Sequence, residues 1–291
     1  MGQQIINGLF LGSIYALFAL GYTLVFGVLD ILNLAHAAVF MLASFVALAL
    51  VGHGIPILLA LPLAVLFAGL LGVALERIAF RPLRGRADSN ISGLISSLAM
   101  ATVFEAVALE IWGPNISRFP FGTVPETQFS LFGGVVSKLQ LAIIAVAVVL
   151  FLALTWLVKA TRLGREVRAV AESPRAARIL GVDVDRAISA SFFISSALGG
   201  AAGVLFGLAF NSISPDMGRS VELKGLAVII LGGMGSMPGA VMAGFALGLT
   251  EVFVVANLGA SWRDAVSFAG LFLVLVLRPR GLLGTAALRE A

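Results

Sequence analysis

The sequence predicts an all-α protein, a polytopic bundle of about eight to ten transmembrane helices, and three observations lead there. Hydrophobic residues fill 60% of the 291 positions and charged residues only 12%, against about 45–50% and about 25% in soluble domains. Mean hydropathy is +1.07. Apolar runs of about 20 residues, the length that crosses a bilayer, recur along the whole chain. So little charge cannot cover a water-facing surface of this size. One transmembrane domain over 1–291 is therefore expected, with no room for a separate soluble one.

Composition also removes whole chemistries. Cysteine is absent, which excludes disulfides and thiolate metal or redox sites. The histidines are His36 and His53, too few for a His-rich metal site. A pI of about 10.1 arises from arginines clustered in a few loops, a pattern of membrane orientation rather than of nucleic-acid binding.

Taken in order, the first apolar run is 5–28. The first basic residue is Arg77, so no positive segment precedes this run, and the run exceeds the apolar core of a signal peptide. It is read as a helix of the mature chain. Met1-Gly2-Gln3 would suit myristoylation, but Ile6 stands where Ser or Thr is required. Further spans are read at 34–52, 56–79, 91–112, 139–160, 187–210, 221–235, 238–257 and 264–279. The run 221–235 is too short to cross unaided. Fourteen of the 19 Lys and Arg fall in three connections. These are Arg77, Arg81, Arg84 and Arg86; Lys159, Arg162, Arg165, Arg168, Arg175, Arg178 and Arg186; and Arg278, Arg280 and Arg289. The positive-inside rule makes all three cytoplasmic, and an even number of spans separates each pair. The segment 113–138 is then external. Gly113-Pro114-Asn115, Pro120 and Pro125 there indicate turns and irregular chain rather than a folded domain. Three spans before Arg77 would put the N-terminus outside, but no charge fixes that end, and eight to ten spans stay open.

Polar or glycine-rich chain at membrane depth is tolerated only inside protein or against a wet cavity, so interruptions of the spans mark a candidate pathway. One interruption is Asp30-Ile31-Leu32-Asn33-Leu34-Ala35-His36; in a helix Asn33 and His36 would share a face. A short polar loop with a hydrogen-bonded histidine is the plainer reading. The other is Leu231-Gly232-Gly233-Met234-Gly235-Ser236-Met237-Pro238-Gly239-Ala240, which must break a helix and free its carbonyls. A phosphate loop is excluded, since no Lys-Ser/Thr pair follows and no strand precedes. Gly8 and Gly12, Gly199, Gly203 and Gly207, and Gly244 and Gly248 are spaced for close helix packing. Among acids inside spans, Glu105, Glu110 and Glu251, with Glu222 near an end, Glu251 is the most central. Such a residue should face the bundle interior or water. An interhelix hydrogen bond would satisfy it without any role in transport.

Between 161 and 186 the chain reads TRLGREVRAVAESPRAARILGVDVDR. Ser173 is a helix N-cap, Pro174 a first helical residue and Gly181 a stop, so a short helix is expected over 174–180. It carries Arg175 and Arg178 one turn apart, with Ile179 and Leu180 for apolar contact. Asp185 is read as the cap of the next span. Glu172, Ser173, Pro174, Arg175, Arg178 and Gly181 are thus either a solvated connector or a rigid lever for a soluble partner.

Four ordered blocks carry a resemblance over about 7–283. They are Asn33-Leu34-Ala35-His36; the run from Glu76 to Arg84; Arg168 to Glu172 with Ala176 to Val182; and Leu231 to Ala240. Together they resemble the permease subunits of branched-chain amino acid ABC transporters of the Liv type. The resemblance implies a multi-pass permease of a bacterial inner membrane, set in lipid, paired with a second related permease, two cytoplasmic ATPases and a periplasmic binding protein. No cofactor is implied for this chain, and ATP would be hydrolysed by the partners. The loop helix, with Glu172 to Gly181, would sit in a cleft of the ATPase. Asn33, His36, Gly232, Gly233, Gly235 and Glu251 would line or shape the substrate pathway. In one place the chain departs from the pattern: the family commonly continues Gly-Glu after Asn-x-Ala-His, where Ala37 and Ala38 stand here. The cargo could then be urea, a short amide or an aromatic acid in place of leucine, isoleucine or valine. A stand-alone small-solute channel would need no docking loop. An intramembrane enzyme built on Asp30 and His36 conflicts with their spacing, since six residues put them on roughly opposite faces of a helix.

Overall fold

A computed structural model describes residues 1–84, 89–123, 127–131, 134–278 and 281–283. Arg86, Asp88, Pro125, Arg280 and Arg289 lie outside the described residues. The helices are α1 (Gly2–Leu29), α2 (His36–Gly52), α3 (Ile57–Leu75), α4 (Ser89–Trp112), α5 (Lys138–Ala160), α6 (Arg162–Glu172), α7 (Pro174–Ile179), α8 (Val184–Phe210), α9 (Met217–Gly232), α10 (Met237–Leu258) and α11 (Arg263–Leu277). A π turn at Glu76–Phe80 and a 3-10 turn at Arg81–Leu83 prolong α3. Pro82 removes a donor and stops it there. Among the described residues, seven segments are long and apolar enough to cross a membrane. The shorter α2, with 17 residues, and α9, with 16, complete the nine apolar stretches read in the sequence. The protein is a multi-pass membrane protein.

α1, α2 and α8 form the centre. Ile14, Phe18, Ala19, Val39, Phe40, Ala43, Ala201 and Val204 are each wholly buried, whereas α5 and α11 expose Val149, Trp156, Phe272 and Val276 to the surroundings. Buried alanines among the central helices and large apolar side chains on the outer ones suit a bundle solvated by lipid, where small residues bring backbones together. α1 and α10 show it most directly: a Cβ on Gly12 would lie 2.8 Å from Phe245 Cα, and one on Gly244 2.7 Å from Ala16 Cα. Their antiparallel contact alternates Gly8, Gly12 and Ala16 with Leu249, Phe245 and Gly244.

The 113–138 segment contains more order than turns alone. β1 (Gln128–Leu131) and β2 (Gly134–Ser137) pair antiparallel, and Ser117 pairs with Ile213. Gln3 clasps the hairpin, its amide donating to the Val135 carbonyl at 3.1 Å and accepting from the Val135 N–H at 2.8 Å. The N-terminus therefore shares a side with 113–138. Ser137 and Gln140 close a capping box that starts α5.

The 161–186 connection folds as expected, with one correction. Ser173 Oγ accepts from Ala176 N–H at 3.3 Å and Gly181 has φ of 83°, which bound α7. The cap of α8, however, is Asp183, whose Oδ1 accepts from Arg186 N–H at 3.0 Å, not Asp185. Asp185 instead faces the end of α3, paired with Arg81 at 2.7 Å and Arg84 at 2.8 Å. Arg84 also pairs with Glu76, wholly buried, and Ser189 of α8 donates to Glu76 at 2.6 Å.

Candidate functional site

Both interruptions read in the sequence are real breaks, and they differ in depth. After α1 ends at Leu29, residues 30–35 are non-helical, and Asp30 takes a left-handed φ of 58° that turns the chain back. Asn33 and His36 do not share a helical face, because helix starts only at His36. Asn33 acts on the turn itself: its Oδ1 accepts from Ala35 N–H at 3.2 Å and its carbonyl from His36 N–H at 3.1 Å. Ser97 of α4 holds the same turn through Leu34 N–H.

His36 then packs within the bundle rather than at its rim. Its ring lies 4.8 Å from Phe18 and 5.3 Å from Tyr22, centroid to centroid. Tyr22 precedes the end of α1 by about two turns, on the order of 10 Å. The 30–35 segment thus re-enters, and α2 begins deep in the protein. Room for the ring comes from Gly21 and Gly199, where a Cβ would stand 2.9 and 2.6 Å from His36 Cε1. His36 is 1% exposed, and neither ring nitrogen has a hydrogen-bond partner among the described residues. Ala37 and Ala38 are each 3% exposed. The departure from Gly-Glu therefore falls in packed core, against Gly218 of α9.

The glycine break separates α9 from α10. Gly232 ends α9 against the backbone of Gly239; Gly233 and Gly235 take φ of 100° and 83°. The carbonyls freed at the end of α9 find donors on the returning tail, Leu282 N–H to Leu231 at 2.8 Å and Leu283 N–H to Gly232 at 3.1 Å. Ser236 caps α10 through Gly239 N–H. Gly235 also lines a cavity of about 550 Å³ with Thr23 and Gly27 of α1, Lys159 of α5 and Arg168 of α6. The break, the central helix and the loop that carries α7 share that cavity.

Glu251 does not line a cavity. It is wholly buried and collects its neighbours: Tyr15 O–H donates at 2.9 Å, Lys224 Nζ lies at 2.8 Å, Ser267 O–H donates at 3.4 Å and Arg263 Nε lies at 3.9 Å. Four helices, α1, α9, α10 and α11, thus meet on one carboxylate. Tyr15, Lys224 and Arg263 face a second cavity of about 550 Å³, walled also by Phe206, Phe210 and Phe268. Glu105 ties α4 to α9 through Arg219 at 2.6 Å. Among the described residues no group of His, Cys, Asp and Glu could hold a metal ion.

α7 stands out from the bundle. Ala177 is buried at 1%, while Ile179 and Leu180 are 86% and 80% exposed. Arg175 and Arg178 are exposed beside them, as is Glu172 at the end of α6.

A lipid-facing bundle with re-entrant chain at depth, two cavities and an apolar knob on the 161–186 loop has the architecture of a transport permease. Residues 4–275 match the family model for the permease component of branched-chain amino acid transport systems, and the chain belongs to that family of ABC importer permeases. It is 34% identical to the high-affinity branched-chain amino acid transport system permease protein BraD of Pseudomonas aeruginosa, over 97% of this chain and 95% of that one. It is 36% identical to the permease protein LivH of Escherichia coli K12, over the same shares. In fold it is similar to PsaBC from Streptococcus pneumoniae, solved with a Fab, with a TM-score of 0.52, 13% identity, and coverage of 94% of this chain and 91% of that one. Membership implies ATPase and substrate-binding partners in general, and a role in transport.

Proposed function

We propose that this chain carries branched-chain or related hydrophobic amino acids across the inner membrane, by alternating access driven by ATP hydrolysed on two partner ATPases. A second related permease and a periplasmic binding protein complete the machine. Glu172, Ser173, Pro174, Arg175, Arg178 and Gly181 form the coupling element, and Asn33, His36, Gly232, Gly233, Gly235 and Glu251 shape the pathway. No cofactor is bound by this chain. The observation that carries the reading is α7: a capped helix, anchored by Ala177 alone on its buried side, that holds Ile179 and Leu180 in solvent. Exposed apolar residues with flanking arginines on a rigid support suit a protein partner. The cargo named for BraD and LivH supports branched-chain or related hydrophobic amino acids; the departure at Ala37 and Ala38 leaves urea, a short amide or an aromatic acid as the second reading.

The test is native purification in mild detergent, with identification of co-purifying proteins and an ATPase assay. Two ATPases, a second permease, and hydrolysis that rises with a liganded binding protein are expected. A chain that purifies alone and conducts solute in liposomes would overturn the reading in favour of a channel. Charge reversal of Arg175 and Arg178 should uncouple hydrolysis from uptake without loss of insertion.

A further inference from the structure

The second cavity has a composition that the Glu251 cluster alone does not require. Its wall brings Arg263 and Asp264, consecutive at the start of α11, beside Lys224 and three phenylalanines. Lys224 is fully committed: its ammonium meets Glu251 at 2.8 Å, Asp264 at 3.2 Å and Tyr15 Oη at 3.3 Å, one partner for each proton. Arg263 is not. Its nearest anion is Glu251, 3.9 Å from Nε, beyond hydrogen-bond length, and Nε is buried without a partner among the described residues. The remaining donors of its guanidinium form a fork on a side chain 40% exposed, the geometry that suits a carboxylate. Asp264 gives one oxygen to Lys224 and is 66% exposed, so its second oxygen can accept from an ammonium. Phe206, Phe210 and Phe268 supply an apolar wall.

Asp216 also lines the cavity and is hydrogen-bonded by Ser214 at 2.5 Å, so the wall carries Asp216 and Asp264 beside Lys224 and Arg263, with Glu251 buried behind them. A ligand with one carboxylate and one ammonium meets Arg263 and Asp264 together.

We propose that this cavity is a station for a zwitterionic α-amino acid with an apolar side chain, Arg263 receiving its carboxylate, Asp264 its ammonium and the phenylalanines its side chain. Glu251 is a positioning residue there: it never reaches the ligand but holds Lys224 and Arg263 in place. The inference deepens the importer reading and rests on it.

The test uses the complete transporter in proteoliposomes with its binding protein, with leucine as the probe and uptake and stimulated ATPase read together. Arg263→Gln and Asp264→Asn are each expected to lower uptake at limiting leucine by about tenfold or more, the loss typical of one charged contact. Arg263→Lys, which keeps charge but loses the fork, should fall between. In the detergent-purified complex, the fluorescence of Trp262, next to Arg263, should respond to leucine. It should not respond to leucinol, which lacks the carboxylate, or to 4-methylpentanoate, which lacks the ammonium. Normal leucine uptake by both Arg263→Gln and Asp264→Asn would overturn the station and leave the importer standing. A wild-type complex that neither assembles nor moves any amino acid would instead overturn the importer reading.

Discussion

Lys224 of α9 and Glu251 of α10 meet at 2.8 Å, the carboxylate wholly buried and the lysine side chain 12% exposed. An isolated charge at this depth would be untenable, so each residue exists by virtue of the other. Glu251→Leu strands the ammonium and should cost about 3–5 kcal/mol, the cost of breaking a buried pair. Lys224→Met combined with Glu251→Leu should recover most of it. Thermal unfolding in detergent reads both, and a double variant no more stable than the single one would show that the two are not coupled.

Helix contact across α1 and α10 rests on the absence of side chains. A Cβ on Gly244 would stand 2.7 Å from the backbone of Ala16, so Gly244→Val should overpack the contact and destabilise by about 1–3 kcal/mol. Gly270 in α11 has open space where its Cβ would go. Gly270→Ala should be neutral or gain up to about 1 kcal/mol from helix propensity. Equal melting shifts for the two would contradict this account of the packing.

Asp185 joins the coupling segment to α3 through Arg81 and Arg84. Its side chain is 43% exposed, so the pairs contribute little to folding, about 0–1 kcal/mol each. Their value lies in transmission. Asp185→Asn should leave expression and melting unchanged while lowering the solute moved per ATP hydrolysed, measured as the ratio of uptake to phosphate release. An unaltered ratio would remove the network from the coupling path.

Ile179 and Leu180 should behave as contact residues and not as core. Replacing both by Asp is expected to leave the melting temperature within error, as exposed positions do. The same change should abolish recovery of the ATPases on a tagged chain. Retention of the ATPases would move the docking surface elsewhere on the loop.

How much of this was legible in advance follows a physical line. The nine apolar stretches, the break before His36, the glycine break and the caps of α7 all depend on local signals: apolar length, missing donors, hydroxyls before a first turn. Asp185 shows where such signals stop. Two acids stand near the start of α8, either could cap it by type, and Asp183 does. What draws Asp185 away is a pair of arginines about 100 positions earlier, at the end of another helix.

Sequence alone thus determined the membrane bundle and, through four ordered blocks, its family, because these rest on composition and on patterns within a few turns. Only the tertiary structure decided that α2 starts at depth, and that His36 lies between Gly21 and Gly199. It also decided that Glu251 serves as a hub for Tyr15, Lys224, Arg263 and Ser267. Tyr15 and Glu251 are 236 positions apart. No local pattern specifies which distant helix will answer a buried charge; packing does, because in a low-dielectric interior the charge must be answered by whichever partner the fold brings within reach.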